Sequence, residues 1–129
     1  MVKLFNFKTM KTLHIAKEFK FSSAHKLTKY KGKCENLHGH TYRLQVKVKG
    51  QQGDDGLVMD FVEMKKIVNE KVVDKLDHAY LNDFFENPTA ETIAVWIWDE
   101  LFKEFGGDVE LEEIVLYESD GSWVVYRGE

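Results

Sequence analysis

The sequence predicts an α+β fold, in which a four-stranded antiparallel sheet carries two helices on one face in the order ββααββ. Three observations predict it. Two segments with period-two alternation come first, two segments with helical periodicity follow, and two short apolar runs flank an Asp120-Gly121 turn near the end. A sheet with helices packed on one face is a common α+β layer arrangement.

The first two strands are predicted from alternation of apolar and polar residues. In residues 12–25, the side chains of one register share a face of the predicted strand, and they are mostly apolar: Leu13, Ile15, Phe19, Phe21 and Ser23. Residues 40–49 alternate more regularly, and their apolar set is Tyr42, Leu44, Val46 and Val48. The stretch from Gly50 to Gly56 is polar and predicts a turn.

Both helices have recognisable beginnings. Asp60, followed by Glu63, is typical of a helix N-terminus, and the apolar stripe that follows is Phe61, Met64, Val68, Val72 and Leu76. The second helix begins near residues 87–89, where proline suits the first turn. It is expected to end at Gly106-Gly107, with an inward face of Ile93, Ile97 and Leu101. Residues 114–117 and 123–126 are the last two strands.

Composition excludes several classes of protein. The 129 residues carry 18 basic and 22 acidic side chains, a net charge of −4, so no general attraction to nucleic acid or anionic membranes is expected. A single cysteine excludes an internal disulfide, and no apolar run approaches the roughly 20 residues of a membrane span. We expect a cytoplasmic protein with an N-terminal extension over 1–11, one domain over 12–129, and a natural start at Met1 or Met10.

Three histidines form a candidate metal site. His38 and His40 lie two apart and continue the inward register of the second strand, and His25 continues that of the first. Imidazole suits zinc, and three protein ligands with one open position are typical of catalytic zinc. The alternative is a set of hydrogen-bonded core histidines, which the shared register makes less favoured. His14, on the outward register, is expected at the surface.

Other polar residues allow two interpretations each. Cys34, four residues before His38, is either a reactive thiolate near the cation or a small buried apolar residue. Asp77 and His78 follow the first helix, either as an acid/base pair or as ordinary polar residues of a helix end. Glu118 takes the inward register of its strand, where a carboxylate needs a structural partner or a ligand with paired N–H groups.

Six segments, in this order, resemble the 6-pyruvoyl-tetrahydropterin synthase / 6-carboxytetrahydropterin synthase family. They are FSSAH (21–25), CENLHGH (34–40), LVMDF (57–61), LDHAYLN (76–82), NPTAE (87–91) and YES (117–119). The resemblance implies the tunnelling fold, with homohexamers of two trimers and active sites between subunits. It further implies Zn²⁺ on the three histidines, Cys34 as a proton-shuttling thiol, Asp77 and His78 as a second acid/base group, and Glu118 as the holder of a pterin ring. Thr89 and Glu91 match a motif that lines the pterin pocket.

The substrate implied by the resemblance is 7,8-dihydroneopterin triphosphate. The three-residue gap between Cys34 and His38, and the final YRGE, resemble the queuosine-pathway branch, which forms 6-carboxytetrahydropterin, acetaldehyde and triphosphate. Glu35 matches relatives that use a glutamate as base and release 6-hydroxymethyl-dihydropterin, so it is either a second base or a solvated loop residue. Formation of 6-pyruvoyl-tetrahydropterin is a further alternative. A zinc-stabilised pterin-binding subunit without turnover is the non-enzyme alternative, and the presence of Cys34, Asp77 and His78 argues against it.

Overall fold

The computed structural model describes residues 11–31 and 36–129. Five strands and several helical segments follow one another along these residues. In chain order they are β1 Leu13–His25, β2 His38–Gly50, α1 Phe61–Val68, a π-helical turn Asn69–Val73, α2 Asp74–Leu76, β3 Ala79–Tyr80, a 3₁₀ turn Leu81–Asp83, α3 Ala90–Phe102, β4 Val109–Ser119 and β5 Ser122–Tyr126. Among the described residues, no helix has both the length and the apolar character needed to span a bilayer.

A long hairpin of β1 and β2 is the centre of the sheet. The two strands pair in antiparallel register from Leu13 opposite Gly50 to His25 opposite His38. On the other side of β2 lies β4, and β5 follows around the predicted Asp120-Gly121 turn, with Ser119 opposite Ser122. The inward set of β2 is fully buried, as its alternation predicts, in Tyr42, Leu44, Val46 and Val48.

The sheet has five strands rather than the four predicted, and it is not wholly antiparallel. Its order is β3-β1-β2-β4-β5, and β3 pairs in parallel with β1 through Ser23 opposite Ala79. The N–H of His78 donates to the carbonyl of Ser22 at 2.7 Å, and this bond extends the pairing. A strand of two residues is too short to show alternation, so the sequence pattern gave no signal for it.

The helices cover one face of the sheet, as predicted. The stripe Met64, Val68, Val72 and Leu76 is fully buried. Its spacing of four residues would drift by about 40° per step on a straight α-helix, and the π-helical turn over Asn69–Val73 interrupts that winding. In α3 the predicted inward face is likewise buried at Ile93, Ile97 and Leu101.

Three details differ from the sequence prediction. Phe61 is 47% exposed, because helical side chains point towards the N-terminus and that of the first helical residue projects beyond the helix end. Leu13 is 41% exposed, because its cross-strand neighbour Gly50 offers no side chain to pack against. Helix α3 ends at Phe102, before the predicted stop at Gly106-Gly107.

Candidate functional site

The three predicted histidines meet on the helix-covered face, where β1 and β2 reach the same end of the sheet. His25 lies opposite His38, and His40 lies opposite Ser23, so alternation places all three imidazoles on one side. One ring nitrogen from each can be chosen so that the three atoms lie within 4.8 Å of one another. We refer to these three residues as the histidine cluster.

Backbone carbonyl groups fix two of the imidazoles. Nδ1 of His25 lies 2.8 Å from the carbonyl oxygen of Pro88, and Nδ1 of His38 lies 2.8 Å from that of Asn36. A carbonyl oxygen can only accept a hydrogen bond, so each Nδ1 carries the proton. In the neutral ring, Nε2 then presents a lone pair. This is the arrangement by which metal-binding histidines are usually oriented.

The spacing of the Nε2 atoms fits a bound cation. Those of His25 and His38 are 3.1 Å apart, and two lone pairs at that distance repel each other unless a proton or a cation lies between them. Two nitrogens bound to a tetrahedral zinc at 2.0–2.1 Å would be separated by about 3.3 Å. With His40 as the third nitrogen donor, the donor set favours a divalent metal with imidazole ligands.

A cavity beside the histidine cluster is lined by the three residues that are expected to bind substrate. It has a volume of about 350 Å³, lies at the N-terminus of α3, and is lined in part by Thr89, Glu91, Glu118 and Trp123. The Glu118 side chain lies next to an irregularity in β4, and one of its carboxylate oxygens is 4.0 Å from Nε2 of His40. We call this space the α3 cavity. Its carboxylate, Glu118, lies next to the histidine cluster.

The beginning of α3 shapes the wall of the α3 cavity. Thr89 is the N-cap, and its hydroxyl oxygen accepts a hydrogen bond from the N–H of Thr92 at 3.1 Å. Glu91 lies in the first helical turn, where the helix dipole favours a negative charge. Thr89 therefore both caps the helix and lines the cavity, and Glu91 lines it from the first helical turn.

The hydroxyl of Tyr42 is a further polar group at this site, and the sequence pattern did not indicate it. The residue is fully buried, its hydroxyl lies 3.5 Å from Nδ1 of His25, and its ring stacks on Phe21 with centroids 5.0 Å apart. Burial, and to a lesser degree the negative charge of Glu118, raises the pKa of Tyr42 above its ordinary value. Tyr42 lies two residues after His40 in the inward register. This position predicted a core residue but not a hydroxyl group beside the histidine cluster.

Asp77 and His78 lie together at the edge of the sheet. A carboxylate oxygen of Asp77 is 3.5 Å from Nε2 of His78, and the other accepts a hydrogen bond from the N–H of Ser22 at 2.9 Å. The imidazole of His78 is 85% exposed, and its backbone is in the left-handed region with φ +58°. His78 lines a second cavity of about 500 Å³, together with Ala24 and His40 among others, and we call this space the edge cavity. Within one chain, His78 and Glu118 thus line different cavities.

Other predicted residues are placed as follows. Cys34 and Glu35 lie outside the described residues. His14 is on the exposed side of the sheet, as expected, with Nδ1 2.6 Å from a carboxylate oxygen of Glu112. A larger cavity of about 780 Å³ lies around the far end of the hairpin, near Gly50 and Asp108, and its lining includes none of the predicted site residues.

Comparison with protein families and characterised sequences gives a consistent result. Residues 14–129 match the family model described as 6-pyruvoyl tetrahydropterin synthase. The 6-pyruvoyl tetrahydrobiopterin synthase of Dictyostelium discoideum is 40% identical over 138 residues, covering 92% of this chain and 98% of the relative. The dihydroneopterin monophosphate aldolase of Pyrococcus furiosus is 46% identical over 86 residues, covering 67% and 74%. The 6-carboxy-5,6,7,8-tetrahydropterin synthase of Synechocystis sp. is 44% identical over 94 residues, covering 67% and 73%.

Comparison with solved structures agrees. The 6-pyruvoyl tetrahydropterin synthase of Caenorhabditis elegans superposes with a TM-score of 0.81 at 27% identity, covering 96% of this chain and all of the other. The predicted tunnelling-fold architecture is therefore confirmed, apart from the strand count already described.

Proposed function

This chain belongs to the 6-pyruvoyl tetrahydropterin synthase family, and we propose that it is a zinc-dependent lyase that converts 7,8-dihydroneopterin triphosphate and water to 6-carboxytetrahydropterin, acetaldehyde and triphosphate. One observation carries the proposal. Two imidazoles whose Nδ1 atoms are held by carbonyl groups direct their Nε2 atoms at each other from 3.1 Å, next to a cavity that contains a carboxylate.

The metal site accounts for the choice of reaction. When bound, Zn²⁺ supplies a positive charge that makes hydroxyl groups, and the C–H bonds beside them, more acidic. The chain supplies the ligand set for it in His25, His38 and His40. A substrate with side-chain hydroxyl groups next to a flat ring suits a site where the metal ligands and the α3 cavity adjoin.

Glu118 is the residue we assign to recognition of the pterin ring. Its carboxylate faces the α3 cavity and can accept two hydrogen bonds from adjacent N–H groups of a heterocycle. Because a charged acceptor makes stronger hydrogen bonds than a neutral one, the ring is held in one orientation. Thr89 and Glu91 form the adjacent wall at the beginning of α3.

The protons are moved by groups of the chain. We assign Cys34 as the base on the substrate side chain, since a thiol near a cation is readily deprotonated. Asp77 accepts from Ser22 and lies 3.5 Å from His78, so the carboxylate is fixed and the imidazole can exchange a proton with solvent or substrate. The two cavities of one chain separate His78 from Glu118, and active sites formed between subunits would bring such groups together.

The edges of the sheet support an oligomer. Among the described residues, the strands β3 and β5 form the two edges, and edges of this kind favour pairing with another chain. We propose a homohexamer of two trimers in the cytoplasm, with a small pterin triphosphate as the ligand and no nucleic-acid or membrane partner.

A second candidate function is release of 6-hydroxymethyl-dihydropterin. The presence of Glu35 next to Cys34 favours it, as does the relative named dihydroneopterin monophosphate aldolase. The third candidate, 6-pyruvoyl-tetrahydropterin formation, is favoured by the relative from Dictyostelium. The three candidates differ in product, and the second also differs in its base, which would be Glu35 rather than Cys34.

Product analysis of two matched variants tests the proposal. Incubation with 7,8-dihydroneopterin triphosphate, followed by mass spectrometry of pterins and an acetaldehyde assay, identifies the product of the unaltered protein. Cys34→Ala should reduce its formation by about 10²–10⁴-fold, the usual contribution of a positioned acid or base, whereas Glu35→Ala should leave it nearly unchanged. If Glu35→Ala abolishes 6-carboxytetrahydropterin while Cys34→Ala retains it, our assignment of the base is wrong.

A further inference from the structure

Two asparagine side chains form hydrogen bonds with the segment that follows β1. This segment begins immediately after His25, one of the candidate metal ligands. The side-chain oxygen of Asn82 accepts from the N–H of Lys26 at 3.0 Å, and its amide NH₂ donates to the carbonyl of Lys26 at 2.9 Å. Asn82 therefore satisfies both backbone groups of Lys26, as a neighbouring strand would. The backbone next to His25 is fixed by a side chain where the sheet has ended.

Asn87 holds the same segment one step further along the chain. Its side-chain oxygen accepts from the N–H of Thr28 at 3.0 Å, and its backbone carbonyl accepts from the N–H of Thr89 at 2.9 Å. The next residue is Pro88, whose carbonyl oxygen accepts the Nδ1 proton of His25. Since proline has no N–H, Pro88 cannot donate a backbone hydrogen bond of its own, and its position depends on the residues beside it.

These bonds connect the histidine cluster to the α3 cavity. The next residue after His25, Lys26, is held by Asn82. The Nδ1 of His25 bonds to the carbonyl of Pro88, and the residue before Pro88, Asn87, bonds to Thr28. The same loop continues directly into Thr89, the N-cap of α3 and part of the α3 cavity wall. A shift of this loop would therefore move the acceptor of His25 and the cavity wall together.

We propose that Asn82 and Asn87 are positioning residues of the metal site, and that Asn87 fixes the Nδ1–H tautomer of His25 by holding the carbonyl of Pro88 in place. This inference rests on the proposed function, because it concerns the metal that the histidine cluster is proposed to bind. Neither side chain is a ligand. Both act by keeping Nε2 of His25 directed at its counterpart on His38.

The test measures metal affinity rather than turnover. Zn²⁺ is titrated against a chromophoric chelator with the unaltered protein and with Asn87→Ala. The variant should bind about 10-fold more weakly, the lower end of the loss when a group bonded directly to a ligand is removed, because Asn87 acts through the adjacent Pro88. Asn87→Asp keeps the oxygen that accepts from Thr28 and should restore affinity to within a few-fold. Gln52→Ala is the matched control. It also removes an amide–backbone bond, from Gln52 to the carbonyl of Gly56 at 2.8 Å at the far end of the sheet, and should leave the affinity unchanged.

A second readout separates positioning from general destabilisation. Long-range ¹H–¹⁵N spectra of the metal-free protein report the tautomer of each imidazole. We expect His25 to be in the Nδ1–H form in the unaltered protein and to become a mixture in Asn87→Ala, while His38, which is held by Asn36, keeps its form.

Three outcomes overturn different statements. If the unaltered protein binds no Zn²⁺, the proposed metal site fails, and this inference with it. If it binds Zn²⁺ and Asn87→Ala binds equally well with an unchanged His25 tautomer, only the positioning role fails. If Asn87→Ala does not fold, Asn82→Asp decides. It keeps the acceptor for Lys26 and loses the donor, so it should lower affinity about 10-fold, and unchanged affinity contradicts the proposal.

Discussion

Replacing Glu118 by glutamine changes one carboxylate oxygen into an NH₂ group and removes a negative charge, with almost no change in shape. If the carboxylate accepts two hydrogen bonds from ring N–H groups, the glutamine amide can accept only one of them. Its NH₂ group then faces the second ring N–H, and two donors cannot form a hydrogen bond. A hydrogen bond to a charged group contributes about 1.5–3 kcal/mol, and an unsatisfied group costs about 1–3 kcal/mol. We therefore expect binding to weaken by about 1–3 kcal/mol, or about 5- to 150-fold in Kd.

The structure places the effect in the lower half of that range. The side chain of Glu118 is 33% exposed, so water already screens its charge, and we expect a loss near 10-fold. Titration calorimetry with 7,8-dihydroneopterin, which lacks the triphosphate leaving group, measures the affinity of the ring, and metal analysis checks that the histidine cluster remains loaded. Glu112→Gln is the control, since Glu112 is also on β4 but pairs with His14. Unchanged affinity in Glu118→Gln, with Glu112→Gln also unchanged, would mean that Glu118 has a structural role only.

Three further predictions concern the metal, the buried tyrosine and the assembly. His38→Ala and His40→Ala should each lose most of the bound zinc by elemental analysis, and full zinc content in either would contradict the assigned ligand set. Because the pKa of Tyr42 is raised in the folded state, the unfolded chain releases its proton first as pH rises above about 10, so stability falls there by up to about 1.4 kcal/mol per pH unit. Urea unfolding of the metal-free protein at pH 9 and pH 11 should show a smaller loss in Tyr42→Phe, and equal losses would refute the burial argument. Light scattering at micromolar concentration should give six subunits, and a stable monomer would exclude assembly through the sheet edges.

Much of the fold could be predicted because alternation carries strong information in long strands. The inward register of β2 runs from Val48 to Tyr42 and on to His40 and His38, so the residues that form the core also indicated where the imidazoles would lie. A one-residue error in register would have reversed every side chain. The third histidine of the cluster, His25, could be assigned by the same logic because it continues the inward register of β1.

The parts of the fold and of the site that the sequence did not predict depend on contacts that leave no periodic pattern in the sequence. The strand β3 has two residues, and its pairing relies on the left-handed backbone of His78 and on the Asp77 carboxylate, neither of which alternation can indicate. The carbonyl acceptors of His25 and His38 are backbone groups of distant or neighbouring residues, so they have no sequence signature at all. The separation of His78 and Glu118 into two cavities required three-dimensional coordinates.

The carbonyl acceptors behind two imidazoles of the histidine cluster have an evolutionary consequence. A side-chain acceptor is lost by a single codon change, whereas a main-chain oxygen persists whatever amino acid occupies positions 36 and 88, provided that the backbone path is kept. Point substitutions at these two positions should therefore leave the orientation of His25 and His38 largely unchanged. Insertions or deletions between residues 36 and 38, or between 82 and 88, should not be tolerated, because they displace the oxygens themselves. Homologous chains are accordingly expected to conserve the lengths of these two loops.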